Sequence, residues 1–185
     1  MSGSFTTDPP PVRAVSLLHQ EGVIGLIAAV GLAIGGNGVF EALRPTVGWP
    51  GSLLLGAASG AACATVLWSF RGTPPLRRLQ HFQHRLVRDW TLSDALAVSL
   101  LSGLAEEALL RAVLQPVIGL IPAAGVFAVL HIVPDRRLWL WPVIAFAFGL
   151  VLGVLYDSAG YPAAAVAHVV INLVALTRLR RRTDG

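Results

Sequence analysis

The sequence predicts an all-α fold, a polytopic transmembrane helical bundle of about six transmembrane helices. Three observations predict it. Of 185 residues, 55% are hydrophobic and only 13% are charged, against roughly 25% charged in an ordinary soluble domain. The apolar residues gather into six runs, and the arginines lie almost entirely in alternate connections between them. A chain this poor in charge cannot cover itself with a polar surface in water, whereas a bilayer solvates it.

The runs are 23–43, 52–70, 92–118, 119–134, 138–157 and 161–177. A spanning helix needs about 20 residues, within a range of about 17–25. The first, second and fifth runs meet this. The fourth is short, and the third is long and holds charges. Breakers mark the ends: Pro45, Trp49-Pro50-Gly51, Pro74-Pro75, Pro122, Pro134 and Gly160-Tyr161-Pro162, positions where helices stop or start. Thr91 and Asp94 resemble a capping box opening the third run. Trp90, Trp139, Trp141 and Tyr161 fall near the expected interfaces. Small residues four apart, at Gly31/Gly35, Gly56/Gly60 and Gly149/Gly153, suit close helix packing in lipid.

Residues 1–22 read as a polar cytoplasmic tail, with no cleavable signal, so the first run is expected to persist as an anchor. Residues 23–177 form the membrane-embedded domain, and 178–185 a basic cytoplasmic tail. With the N-terminus inside, alternating passes put Arg13, Arg71, Arg77, Arg78, Arg85, Arg88, Arg136, Arg137, Arg178, Arg180, Arg181 and Arg182 in the cytoplasm. Only Arg44 falls outside, and Arg111 within the membrane. This bias predicts a multi-pass cell-membrane protein with both termini cytoplasmic. It assigns the basic charge to topology and lipid contact and excludes nucleic acid as a partner. The polar stretch 71–91 reads as a solvated connector, with His81, His84, Arg85 and Arg88 offering a basic face to headgroups. Cys63 is the single cysteine, which excludes an internal disulfide.

The third run contains Glu106, Glu107 and Arg111. A mid-membrane charge costs about 2.5–3.5 kcal/mol on insertion scales, so such residues pair or serve a function. Glu107 and Arg111 stand four apart with the acid first, the favourable order for an ion pair within a helix. Glu106 points about 100° away and lacks that partner. It is the candidate general base for water. His131 closes the fourth run, and His168 and Asn172 share one face of the sixth. Glu41 and Asn37 read as interfacial, and Asp157 as a helix-end residue facing water. Counting ~1.5 Å per residue, Glu106 lies roughly 21 Å from Leu92, and His131 about 5–10 Å from its cytoplasmic end, so the third helix must start in the headgroups or tilt.

The run Glu106-Glu107-x-x-x-Arg111, then Phe127-x-x-x-His131, then His168-x-x-x-Asn172 resembles the three motifs of the CPBP family. That family comprises CAAX prenyl protease 2 (Rce1-like) and bacterial Abi proteins. The resemblance implies a membrane endopeptidase that hydrolyses a peptide bond without a metal or other cofactor. Glu106 and His131 would activate the attacking water, and His168 and Asn172 would stabilise the oxyanion. Glu107, Arg111 and Phe127 would support the site. Were zinc held, Glu106, His131 and His168 would be its ligands. The implied partners are membrane lipids and a protein or peptide substrate, either lipidated or carrying a C-terminal sorting signal. The chain is short for the family, which leaves prenylated substrates open. A non-catalytic scaffold or bacteriocin-immunity protein of the same fold is one rival reading. A small proton-coupled transporter is another, though neither repeated halves nor matching broken helices are present.

Overall fold

The computed structural model describes residues 9–35 and 38–181. Asn37 and Arg182 lie outside the described residues. The chain runs through α1 (Ala14–Ile34), α2 (Val39–Ala42), α3 (Trp49–Ser69), α4 (Pro74–Val87) and α5 (Leu92–Glu107). A π-helical stretch, Ala108–Leu114, continues α5 into α6 (Gln115–Ile118). Then follow α7 (Leu120–Leu130), a 3-10 turn (Arg136–Leu138), α8 (Leu140–Ala159) and α9 (Tyr161–Arg180). One isolated bridge pairs Pro45 with Gly160.

Four helical segments, Ala14–Ile34, Trp49–Ser69, Arg136–Ala159 and Tyr161–Arg180, have the length and apolar composition to cross a membrane. The other two of the six expected passes differ for physical reasons. The rod from Leu92 to Ile118 carries Glu106, Glu107 and Arg111, and its α-helical ladder breaks into π geometry directly after Glu107. The chain reverses at Gly119, and α7 has 11 residues, a rise of about 16 Å. It is shorter than the roughly 20 residues that a spanning helix needs. Large apolar side chains cover the outside: Phe40, Val117, Ile34, Leu54, Ile121 and Leu26 are all exposed. An apolar exterior of this kind is suited to lipid.

The first helix starts nine residues before the expected position, at Ala14 instead of residue 23. Nothing after Pro11 interrupts it. Leu17, Leu18 and Ala14 pack against Val87, Trp90, Val98 and Leu179. The stretch read as a loop is also helical. Leu76 and Leu79 of α4 pack with Leu138 and with Leu67 and Trp141. His84, expected on a basic face, is buried, with Nδ1 2.7 Å from the Leu179 carbonyl. Helix α4 thus floors one end of the bundle, where the start of α1, the end of α3, the start of α5 and the end of α9 meet. The arginines assigned to the cytoplasm, within the described residues, lie in these segments and in the Arg136–Leu138 turn. Arg44 sits at the opposite end, in an exposed ion pair with Glu41 at 3.0 Å. The capping box is present: Thr91 Oγ1 accepts from Asp94 N at 3.1 Å, and Asp94 Oδ2 from Thr91 N at 2.8 Å.

Helix α9 is the centre of the bundle. Helix α3 lies directly on it through Gly56 and Gly60. A Cβ at Gly60 would stand 2.6 Å from the Ala167 carbonyl oxygen, one residue before His168. Gly60→Val is therefore expected to destabilise the fold by about 1–3 kcal/mol through overpacking. Thermal unfolding in detergent would register it, and an unchanged midpoint would contradict this packing. At the far end Gly160 turns α8 into α9 with φ +85°, a conformation that favours glycine. Ser52 Oγ donates to the Ala159 carbonyl beside it.

Candidate active site

The site is built around Glu107, whose side chain is 0% exposed. Its Oε2 accepts from Arg111 Nε at 2.9 Å, one turn along the rod. Its Oε1 accepts from His168 Nδ1 at 2.8 Å. The expected Glu107–Arg111 pair is present, and the same carboxylate also orients a histidine from α9. An acceptor at Nδ1 fixes the ring and leaves Nε2 as the working nitrogen.

Arg111 is equally buried. It donates through Nη1 to Gln115 Oε1 at 3.3 Å, and Gln115 Nε2 donates to Asp157 Oδ1 at 2.8 Å and to the Gly153 carbonyl at 3.1 Å. The stripe 107–111–115 thus ties the π-helical segment to α8. Asp157 is exposed, as expected for a helix end, and also anchors this ladder. Gln115 was not anticipated, although its spacing four residues after Arg111 was a usable signal.

Phe127 forms the wall between the two histidines. Its ring meets His131 edge-on at 4.5 Å and His168 at 5.6 Å between centroids, with the Arg111 guanidinium 6.0 Å away. His131 caps α7 and folds back one turn, with Nδ1 2.8 Å from the Phe127 carbonyl. A carbonyl only accepts, so Nδ1 carries the proton and Nε2 a lone pair. Asn172 donates through Nδ2 to Ser102 Oγ at 2.9 Å, fixing its amide.

Phe127, His131, His168 and Asn172 all line one cavity of about 460 Å³. Apolar side chains such as Leu67, Ile144 and Phe148 make up most of its wall, and Arg71, Arg77 and Arg178 line it as well. Arg71 and Arg178 stack on the Trp68 ring, at 4.7 and 4.2 Å from its centroid. Every charged residue of the lining other than histidine is an arginine.

Glu106 is placed differently. It is absent from the cavity lining, and its buried Oε2, like that of Glu21 on α1, has no hydrogen-bond partner. Glu107 takes the inward face, and the next residue round the helix must turn elsewhere. Glu21 was read as part of the polar tail. It is instead 5% exposed, inside α1. Among the described residues no three His, Cys, Asp or Glu side chains are grouped to hold a metal. Glu106, His131 and His168 therefore do not form a zinc set here.

Residues 88–174, the segment holding the Glu107–Arg111–His168 cluster, His131 and Asn172, match the family model of type II CAAX prenyl endopeptidase Rce1-like proteins. The matched segment is similar to that family over just under half of the chain. No curated protein and no solved structure matches it. The Rce1-like segment begins at the loop before α5 and ends in the middle of α9, so α1, α3 and most of α4 lie outside it. The family is one of endopeptidases, hydrolases of peptide bonds. The matched segment carries the charged cluster, and α3, outside it, packs closely on α9.

Proposed function

We propose that the protein is an intramembrane endopeptidase that hydrolyses a peptide bond in a membrane-associated protein or peptide. The observation that carries this is the convergence of His131, His168 and Asn172 on one apolar cavity, with a buried Glu107–Arg111 pair behind them. Peptide hydrolysis needs a base for water and donors for the oxyanion.

In the proposed reaction His131 Nε2, in the cavity, and Glu106, once its carboxylate has turned into the cavity from outside the lining, draw the proton from water as its oxygen attacks the carbonyl carbon. His168, held by Glu107 and protonated at Nε2, donates to the oxyanion together with the Asn172 amide. The tetrahedral intermediate collapses as the C–N bond breaks, and the proton taken from water passes to the leaving amine. No metal takes part. The substrate enters from the end where Arg71, Arg77 and Arg178 lie, which the arginine bias puts at the cytoplasmic face of the cell membrane. The apolar wall suits a lipidated segment or a hydrophobic sorting signal.

The test uses purified protein in liposomes with membrane-anchored peptides. Glu106→Gln and His131→Ala are each expected to lower turnover by about 10²–10⁴-fold, the usual worth of general-base catalysis. Full-rate cleavage by Glu106→Gln would overturn the mechanism. Chelator is expected to leave the rate unchanged, whereas loss restored by zinc would overturn the metal-free reading.

A further inference from the structure

Both groups assigned to the oxyanion stand on α9, one turn apart, and each finds its partner on α5. His168 Nδ1 donates to Glu107 Oε1 at 2.8 Å. Asn172 Nδ2 donates to Ser102 Oγ at 2.9 Å. Glu107 belongs to the first motif, whereas Ser102 belongs to none of the three. Ser102 is 3% exposed and absent from the cavity lining, which includes Asn172. It reaches the cavity only through the asparagine.

The pairing is built into the way the two helices cross. Gly103, next to Ser102, is a point of close contact: a Cβ there would stand 2.9 Å from Val169 N and 3.2 Å from the Ala165 carbonyl oxygen. Backbones this close bring the short Ser102 side chain within reach of Asn172, less than one turn beyond Val169. Ser99 sets the polarity of the contact. The Ser102 hydroxyl donates to the Ser99 carbonyl at 3.4 Å, and a carbonyl only accepts. With its hydrogen spent there, Ser102 Oγ offers only lone pairs, so Asn172 meets it with its nitrogen and not with its oxygen. An amide nitrogen carries two hydrogens. One is held by Ser102, and the second remains for a ligand in the cavity.

We propose that Ser102 is the positioning residue of Asn172, holding one amide hydrogen so that the other is aimed at the oxyanion. The oxyanion itself rests on the protease reading, whereas the fixed amide does not. Without Ser102 Oγ the amide is free to turn, and either end can face the cavity. A donor to the transition state misplaced in this way lowers kcat and leaves substrate binding alone.

Cleavage in liposomes is compared for wild type, Ser102→Ala, Asn172→Ala and the double variant. Ser102→Ala is expected to lower kcat by about 10–100-fold with KM little changed, the effect of misplacing a reacting group. In the Asn172→Ala background the same substitution is expected to change kcat by less than about twofold, because residues that act through one contact are not additive. A merely structural bond would cost the same factor in both backgrounds. The chain has two asparagines, Asn37 and Asn172. NMR of the Asn37→Ser protein, isotope-labelled at asparagine, therefore reports the Asn172 amide alone and needs no substrate. One of its two side-chain protons is expected to lie downfield and exchange slowly, and Ser102→Ala to move it upfield and speed its exchange by about tenfold or more. Wild-type kcat in Ser102→Ala, an equal loss in both backgrounds, or an amide signal unchanged by Ser102→Ala would each overturn the proposal. Absence of any cleavage by wild type would count against the protease reading, and the amide signal then decides the Ser102–Asn172 contact alone.

Discussion

Replacing Glu107 by alanine is expected to destabilise the protein by about 3–5 kcal/mol, the cost of leaving one partner of a buried ion pair alone. Arg111 is 0% exposed and its Nη2 already has no hydrogen-bond partner. Without Glu107 its guanidinium keeps only the Gln115 amide. His168 loses its acceptor in the same step, and its ring is free to turn in the cavity. Stability and cleavage should therefore fall together. Thermal unfolding in detergent measures the first, and turnover of a membrane-anchored peptide the second. Glu107→Gln separates two contributions. It keeps an acceptor for either His168 or Arg111 but removes the charge, and it is expected to fall between wild type and Glu107→Ala in both measurements. A Glu107→Ala protein as stable as wild type would mean that Arg111 finds another partner.

The Glu107–Arg111 pair was readable in the sequence because a four-residue spacing in an apolar helix leaves few other partners. Its third member was not: the bond from His168 to Glu107 joins α9 to α5 across the bundle, and no local spacing reports it. The π-helical turn after Glu107 has no compositional signature, since Ala108–Leu114 reads as ordinary apolar helix. The start of α1 was missed for a different reason. Residues 15–21 mix Val15, Leu17 and Leu18 with Ser16, His19, Gln20 and Glu21, which looks polar when averaged. In the fold His19 and Gln20 are exposed near the helix end, whereas Glu21 turns inward. Average polarity hides which side of a helix a charge occupies. The same averaging made α4 look like a connector, although Leu76, Leu79 and Val87 are buried along it. The all-α membrane fold survives such errors because it depends on bulk apolar content. Site geometry does not, and Glu106 is the example: the motif offers it as the base, yet the fold leaves it outside the lining of the cavity that holds His131, His168 and Asn172.

Removing both members of the ion pair is expected to give the opposite pattern of stability. Glu107→Met combined with Arg111→Met leaves no buried charge and places two flexible apolar side chains in nearly the same volume. Replacing a buried pair by well-packed apolar residues is often neutral or stabilising by about 1–4 kcal/mol. The double variant should recover most of the stability lost in Glu107→Ala, a strong positive coupling in a double-mutant cycle. Cleavage should not recover. His168 still lacks the Glu107 oxygen now 2.8 Å from Nδ1, so neither its orientation nor a proton at Nε2 is maintained. Turnover is expected to stay at least about 10³-fold below wild type, comparable to the loss of an oxyanion donor. A stable, inactive double variant would assign the pair to orienting His168, because its contribution to folding would have been replaced. A stable and active one would show that α9 packing alone holds the ring, leaving Glu107 to do no more than neutralise Arg111.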